Sequence, residues 1–246
     1  MRTVFVLALL FTGCVMELED EQNDDEIGTS SRVALNGLGS TNFTQLRAVA
    51  QGSLATAGTR VPALFTTADG RELFAYVASC AMTAGKTVSV TSGGASYTFT
   101  GVMGIAKEWE VSTLPTSKYK RVSACILART NYFGTEVSIS MRNANISTKT
   151  SELNAYTVVE GAFWGDLFST TVTMRACASP AKLAGSTVST MPLRECAAPA
   201  DATTTKCKFG YAGECSKVCI TNLTTKVGYS NFEGNVDYIV VYLSNP

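Results

Sequence analysis

The chain of 246 residues contains no histidine. That absence removes Ser-His-Asp and Cys-His mechanisms, which need an imidazole as base. Long apolar runs are missing too. The run from Thr3 to Phe11 has nine residues, whereas a membrane-spanning helix needs roughly 20. No Cys-x-x-Cys spacing occurs, and no clustered basic run offers a nucleic-acid surface. Charge is sparse at 16% of residues, and the formal net charge is zero.

What is present begins at the N-terminus. Arg2 and the apolar run match the n-region and h-region of a secretory signal. Small residues Thr12 and Gly13 lead directly into Cys14, the pattern of a bacterial lipobox. On that pattern residues 1–13 are a signal peptide, and the acylated Cys14 begins the mature chain. No Ala-x-Ala site for ordinary cleavage lies nearby. Residues 14–40 then read as a tether: residues 17–26 carry seven acids and no base. Like charges repel and little apolar surface can be buried, so such a segment is expected to stay extended and hydrated. Val15 stands where many bacteria place the aspartate that retains a lipoprotein in the inner membrane, which points to the outer membrane.

The zero net charge hides an asymmetry. From residue 27 onward the chain has 19 basic and 13 acidic residues, a body near +6. That mild excess suits an anionic polysaccharide or lipopolysaccharide, and solubility alone also accounts for it.

Export makes disulfides the default. With Cys14 acylated, seven cysteines remain: Cys80, Cys125, Cys177, Cys196, Cys207, Cys215 and Cys219. An odd number leaves one thiol over, and spacing alone cannot choose the pairs. The cluster over residues 177–219 has neither the spacing nor the histidines of a zinc site, so no metal and no cofactor are expected. A redox role for Cys215 or Cys219 would need an exposed thiol of lowered pKa.

The body reads as a single α+β domain, residues 41–246, of mainly antiparallel strands with two or three helices. Asp69 with Glu72 three residues on resembles a capping box. Behind it Leu73, Phe74, Val77, Cys80 and Ala81 recur at helical spacing up to Gly85. Val88 and Val90 alternate with hydroxyl residues, Gly93-Gly94 supplies a tight turn, and Tyr97 and Phe99 alternate on the return. A second helix is expected from Pro115 and Ser117 to Gly134, with Tyr119, Val122, Cys125, Ile126 and Phe133 on one side. Cys80 and Cys125 each lie on the apolar side of a helix, which predicts a bridge between them. Strands are expected over 137–141 and near 156–160, 171–177 and 236–243. The Cys-, Thr- and Gly-rich stretch 178–235 is expected to be loop-heavy.

Chemistry is thinly signalled. "CAMTAGKT" (80–87) lacks the first glycine of a phosphate-binding loop and runs from helix to strand, the wrong order. Two acid pairs flank tryptophans: Glu108 and Glu110 around Trp109, and Glu160 and Asp166 around Trp164. Paired carboxylates beside an aromatic platform are what a glycosidase uses. Phe163, Trp164 and Phe168 form the densest aromatic patch, suited to stacking on sugar or anchoring a protein, and equally to a core. Asn42, Asn145 and Asn222 lie in Asn-x-Ser/Thr sequons, which matter only if the source is eukaryotic.

Several stretches together resemble a group of uncharacterised lipoproteins of myxobacteria: "ALNGL" (34–38), "YVASCAMTAGKTV" (76–88), "VSACILARTNYFG" (122–134), "VSISMR" (137–142) and "EGAFWGDLF" (160–168). The similarity spans residues 34–245. It implies a surface lipoprotein and supplies no activity, so no catalytic residues are carried over. The chain departs from the group in two places. Lys120-Arg121 replaces an aromatic-rich "QRW", and Phe232 stands where a cysteine is usual, which would leave that cysteine's partner as the odd thiol.

The expectation is therefore a lipid-anchored protein of the cell envelope, on the outer membrane, with a binding or structural role. The membrane would be reached through the lipid on Cys14, and an envelope polysaccharide or protein would be the partner. The rival expectation is an extracellular hydrolase acting on glycan or peptidoglycan through paired carboxylates.

Overall fold

The computed structural model describes residues 40–131, 137–143, 146, 148–180, 196, 207, 209–221, 230–232 and 236–244. Cys14, the acidic stretch and residues 181–195 lie outside them.

Helix α1, Ser40–Ala50, buries Leu46, Val49 and Ala50. Its C-terminal carbonyls would be orphaned, as at any helix end. Arg60 answers two of them: its guanidinium donates to the carbonyls of Ala48 and Val49 (2.8 Å), and also to that of Ser53 (3.0 Å) just beyond the helix. Two single-turn helices follow, α2 (Ala57–Arg60) and α3 (Pro62–Phe65). No helix is expected from the sequence over residues 41–66. Two of these three helices are one turn long, too short to show a 3.6-residue period.

Helix α4, Ala68–Ala81, starts two residues earlier than the expected box. Thr67 is the N-cap, and its side chain accepts from the Gly70 N–H at 3.1 Å, while Asp69 sits inside the first turn. A Cβ on Gly70 would collide with the carbonyl of Leu64, so glycine here lets α3 and α4 meet backbone to backbone. The helix stops at Ala81 because Met82 is extended, and Gly85 (φ +76°) serves the next turn instead.

Strands β1 (Thr87–Ser92) and β2 (Ala95–Thr100) form the expected hairpin. Gly93 and Gly94 both have positive φ, +58° and +82°, as a tight hairpin turn requires. Val88, Val90 and Phe99 face inward, where Phe99 meets Phe74 edge-on at 4.8 Å.

Helix α5, Tyr119–Arg129, is shorter than expected. Thr130 turns extended and closes it; Phe133 and Gly134 lie outside the described residues. Cys80 of α4 and Cys125 of α5 are bridged, both fully buried.

The remaining strands are β3 (Ile139–Arg142), β4 (Tyr156–Asp166), β5 (Thr173–Ala178), β6 (Gly210–Glu214), β7 (Cys219–Thr221), β8 (Ser230–Phe232) and β9 (Tyr238–Ser244), with helix α6 at Thr150–Ala155. Five of them make one sheet in the order β3-β9-β4-β5-β6, antiparallel except for the parallel β5–β6 pair. Strands β7 and β8 pair by themselves. Among the described residues, the Cys-rich stretch 178–235 holds three short strands of five, three and three residues. Glycines and cysteines mask the alternation there.

The five-stranded sheet has two apolar faces. Ile139, Met141, Phe163, Ala176, Ile239, Val241 and Leu243 join the main core with α5 and α4. Ala162, Trp164, Cys177 and Tyr238 lie on the opposite face in a smaller cluster with Cys215, whose bridge to Cys177 staples the helical turn Cys215–Val218 over it. A third bridge joins Cys196 to Cys207. The molecule is an α+β, disulfide-stapled domain.

Candidate functional site

The aromatic patch is interior. Phe163 and Trp164 alternate along β4, so one enters each core, and Phe168 packs edge-on against Trp109 at 5.6 Å. None of the three is more than 4% exposed, so none offers a stacking face to a ligand. Packing claimed them because β4 is the centre of the sheet and buries both of its faces.

The first acid pair sits on the 3-10 turn Lys107–Glu110. Trp109 points inward, and its indole N–H donates to the Gly52 carbonyl at 3.0 Å. This fixes the acids on either side of it. Glu110 accepts the Thr83 N–H at 2.8 Å and the Lys86 ammonium at 2.8 Å. Burial pushes its carboxyl up, but the hydrogen bonds from Lys86 and Thr83 outweigh it and hold the pKa below the ordinary range. A general acid needs the opposite shift. Glu108 faces Lys118 at 3.9 Å.

The second pair is spread along β4. Glu160 is fully buried at an irregularity where Val159 and Gly161 face consecutive residues of β9, so it is the extra residue of a β-bulge. Its carbonyl accepts the Ser179 N–H at 3.0 Å. Asp166 closes the strand: one carboxylate oxygen accepts the N–H groups of Phe168 and Ser169, each at 3.0 Å. Six residues of strand separate the two acids, about 20 Å at ~3.3 Å per residue. Glycosidase carboxyls stand roughly 5–10 Å apart. The structure does not bring Glu160 and Asp166 together.

A denser polar cluster lies away from both acid pairs. Arg142, at the end of β3, is 6% exposed. It donates to Ser140 Oγ at 3.0 Å and to the Tyr156 carbonyl at 2.6 Å, and its guanidinium lies 3.8 Å above the Tyr242 ring. Glu152 of α6 shares the spot: burial raises its pKa, opposed by a hydrogen bond from Ser140 and the charge of Arg142. Ser140 is wholly buried, so no substrate reaches it. The cluster pins α6 and the start of β4 to the sheet. Its only signal in sequence is a polar residue alternating with Ile139 and Met141.

The cysteines leave little for a metal. Cys177, Cys196, Cys207 and Cys215 are spent in two bridges, and among the described residues no cluster of ligating side chains gathers. "CAMTAGKT" is the end of α4, a turn and the start of β1, with Cys80 bridged and Lys86 on Glu110.

Comparison with known proteins finds no matching family model, no matching curated protein and no matching solved structure.

Proposed function

We propose that the chain is a lipid-anchored protein of the cell envelope, held on the outer membrane through Cys14, with a binding or structural role and no hydrolytic site. The observation that carries this reading is the set of three bridges among the described residues, Cys80–Cys125, Cys177–Cys215 and Cys196–Cys207. Disulfides in such number belong to an oxidising compartment, beyond the cytosolic thiol pool. They also leave Cys14 and Cys219 as the two remaining cysteines of eight. Cys14 follows a basic residue, an apolar run and two small residues, the order that directs export and acylation. The candidate acids are engaged otherwise: Glu110 and Glu108 in ion pairs, Asp166 in a turn, and Glu160 within the core.

Intact mass of the membrane-extracted protein, before and after reduction, tests the proposal. The expected result is a chain beginning at acylated Cys14 that gains about 6 Da on reduction, two hydrogens per bridge. A mature chain beginning elsewhere overturns it. So does an unmodified Cys14 with a gain of about 8 Da, the mark of a fourth bridge from Cys14 to Cys219.

A further inference from the structure

The β1–β2 hairpin has two edges, and they are treated differently. The β1 edge is covered. A Cβ on Gly58 of α2 would collide with the Thr91 carbonyl, so the helix backbone lies directly on the strand, and Ser92 Oγ reaches the Pro62 carbonyl at 3.4 Å. Among the described residues, the β2 backbone has no strand partner except β1, and no hydrogen bond covers its outer edge.

A bare edge is a template for another strand, and proteins usually blunt it with charge, proline or a bulge. Strand β2 carries none of these. Its register with β1 runs unbroken from Thr87↔Thr100 to Ser92↔Ala95. No charged residue occurs between Lys86 and Lys107. Ser96, Thr98 and Thr100 are exposed on the outer face, Phe99 is buried on the inner one, and Tyr97 is half-buried beside it with the Arg71 guanidinium 5.3 Å from its ring.

The sequence of this edge is complementary to itself. Antiparallel pairing about a two-fold axis through Thr98 sets Thr98 opposite Thr98, Ser96 opposite Thr100, and Tyr97 opposite Phe99. Each is a favourable cross-strand pair, hydroxyl on hydroxyl outside and ring on ring inside. Keeping the faces matched excludes a shift of one residue. Neutrality matters most for a homotypic contact, because any charge on the axis would face its own copy.

We infer that the β2 edge, Ala95–Thr100, is the contact through which two copies of this chain join, continuing the hairpin into a four-stranded antiparallel sheet with two-fold symmetry. The contact does not depend on how the chain is anchored. A shared membrane would only raise the local concentration of the two edges.

Sedimentation equilibrium of the full chain, in detergent where the lipid requires it, tests this on the order of 100 μM. A dimer is expected, and Thr98→Lys, which sets two ammonium groups face to face, should raise its dissociation constant at least about fivefold. Thr98→Cys should cross-link into a disulfide dimer, while Ser89→Cys, also exposed but one strand inward, should not. The Thr98→Cys result keeps the test open should Thr98→Lys fail to fold. A monomer with no cross-link overturns the inference, as it would if the edge took a strand from another protein. A dimer indifferent to Thr98→Lys, or equal cross-linking at both positions, overturns it as well.

Discussion

Removing the bridge between α4 and α5 should be the most costly single change to the cysteines. Cys80 and Cys125 are 45 residues apart, so the bridge closes a large loop in the unfolded chain. The loop-entropy relation gives about 4 kcal/mol for a loop of that size and about 3 kcal/mol for the Cys196–Cys207 loop, with a separation of 11 residues. Both sulfurs are fully buried between helices, so the double variant Cys80→Ala/Cys125→Ala also loses packing, and the expected total is about 4–5 kcal/mol. For a domain of this size that corresponds to a Tm lower by roughly 10–15 °C. Urea unfolding of the oxidised proteins, followed by circular dichroism, gives the comparison directly. Cys196→Ala/Cys207→Ala should lose about 1 kcal/mol less than Cys80→Ala/Cys125→Ala. A loss below about 1 kcal/mol for the α4–α5 pair would refute the reasoning, because the helices would then hold their places without the bridge.

Two other perturbations read the polar contacts. The Glu110 pKa is lowered on folding, so its contribution is present above the unfolded value near 4.5 and is lost as pH falls through the lower folded value; Glu110→Gln should flatten the acid limb of the stability–pH curve, and an unchanged limb would show that Thr83 and Lys86 do not favour its charged form. Arg142→Ala removes hydrogen bonds to Ser140 and Tyr156 and strands the half-buried Glu152, an expected loss of about 3 kcal/mol in chemical unfolding; a loss within about 0.5 kcal/mol, the range of an ordinary surface change, would contradict the anchoring role.

Legibility in the sequence followed the period of each element. The β1–β2 hairpin was readable because strict alternation and a glycine pair say the same thing. Helix α4 was readable from five apolar positions at helical spacing, though its cap was displaced to Thr67, since Thr is also an N-cap former and its hydroxyl reaches the Gly70 N–H. Helices α2 and α3 were invisible because four residues make one turn and carry no period. The end of α5 at Arg129 was misplaced for a different reason. The apolar spacing continues to Phe133, but Thr130 turns extended, and both it and Asn131 are buried. Tertiary packing overrode the local pattern there.

Residue types at the candidate site were visible, but their duties were not. Glu110 and Asp166 look alike in sequence, and what separates them is which N–H groups the fold brings to each. Thr83 and Lys86 reach Glu110 from more than 20 residues away, whereas Asp166 bonds its own next turn. The same limit governs the cysteines. Helical faces pointed to Cys80 and Cys125, while Cys177–Cys215 depends on a parallel strand pair that no spacing reports. The register of β7 and β8 then bears on the other end of the chain. Cys219 pairs with Phe232, so a cysteine at position 232 would stand directly opposite it, within the Cα range that a disulfide spans. With phenylalanine there, the three bridges among the described residues leave Cys14 as the cysteine to which Cys219 could be joined. Acylation of Cys14 and a Cys14–Cys219 bridge therefore exclude each other. The strand register near the C-terminus turns the identity of position 14 into a question of counting sulfurs.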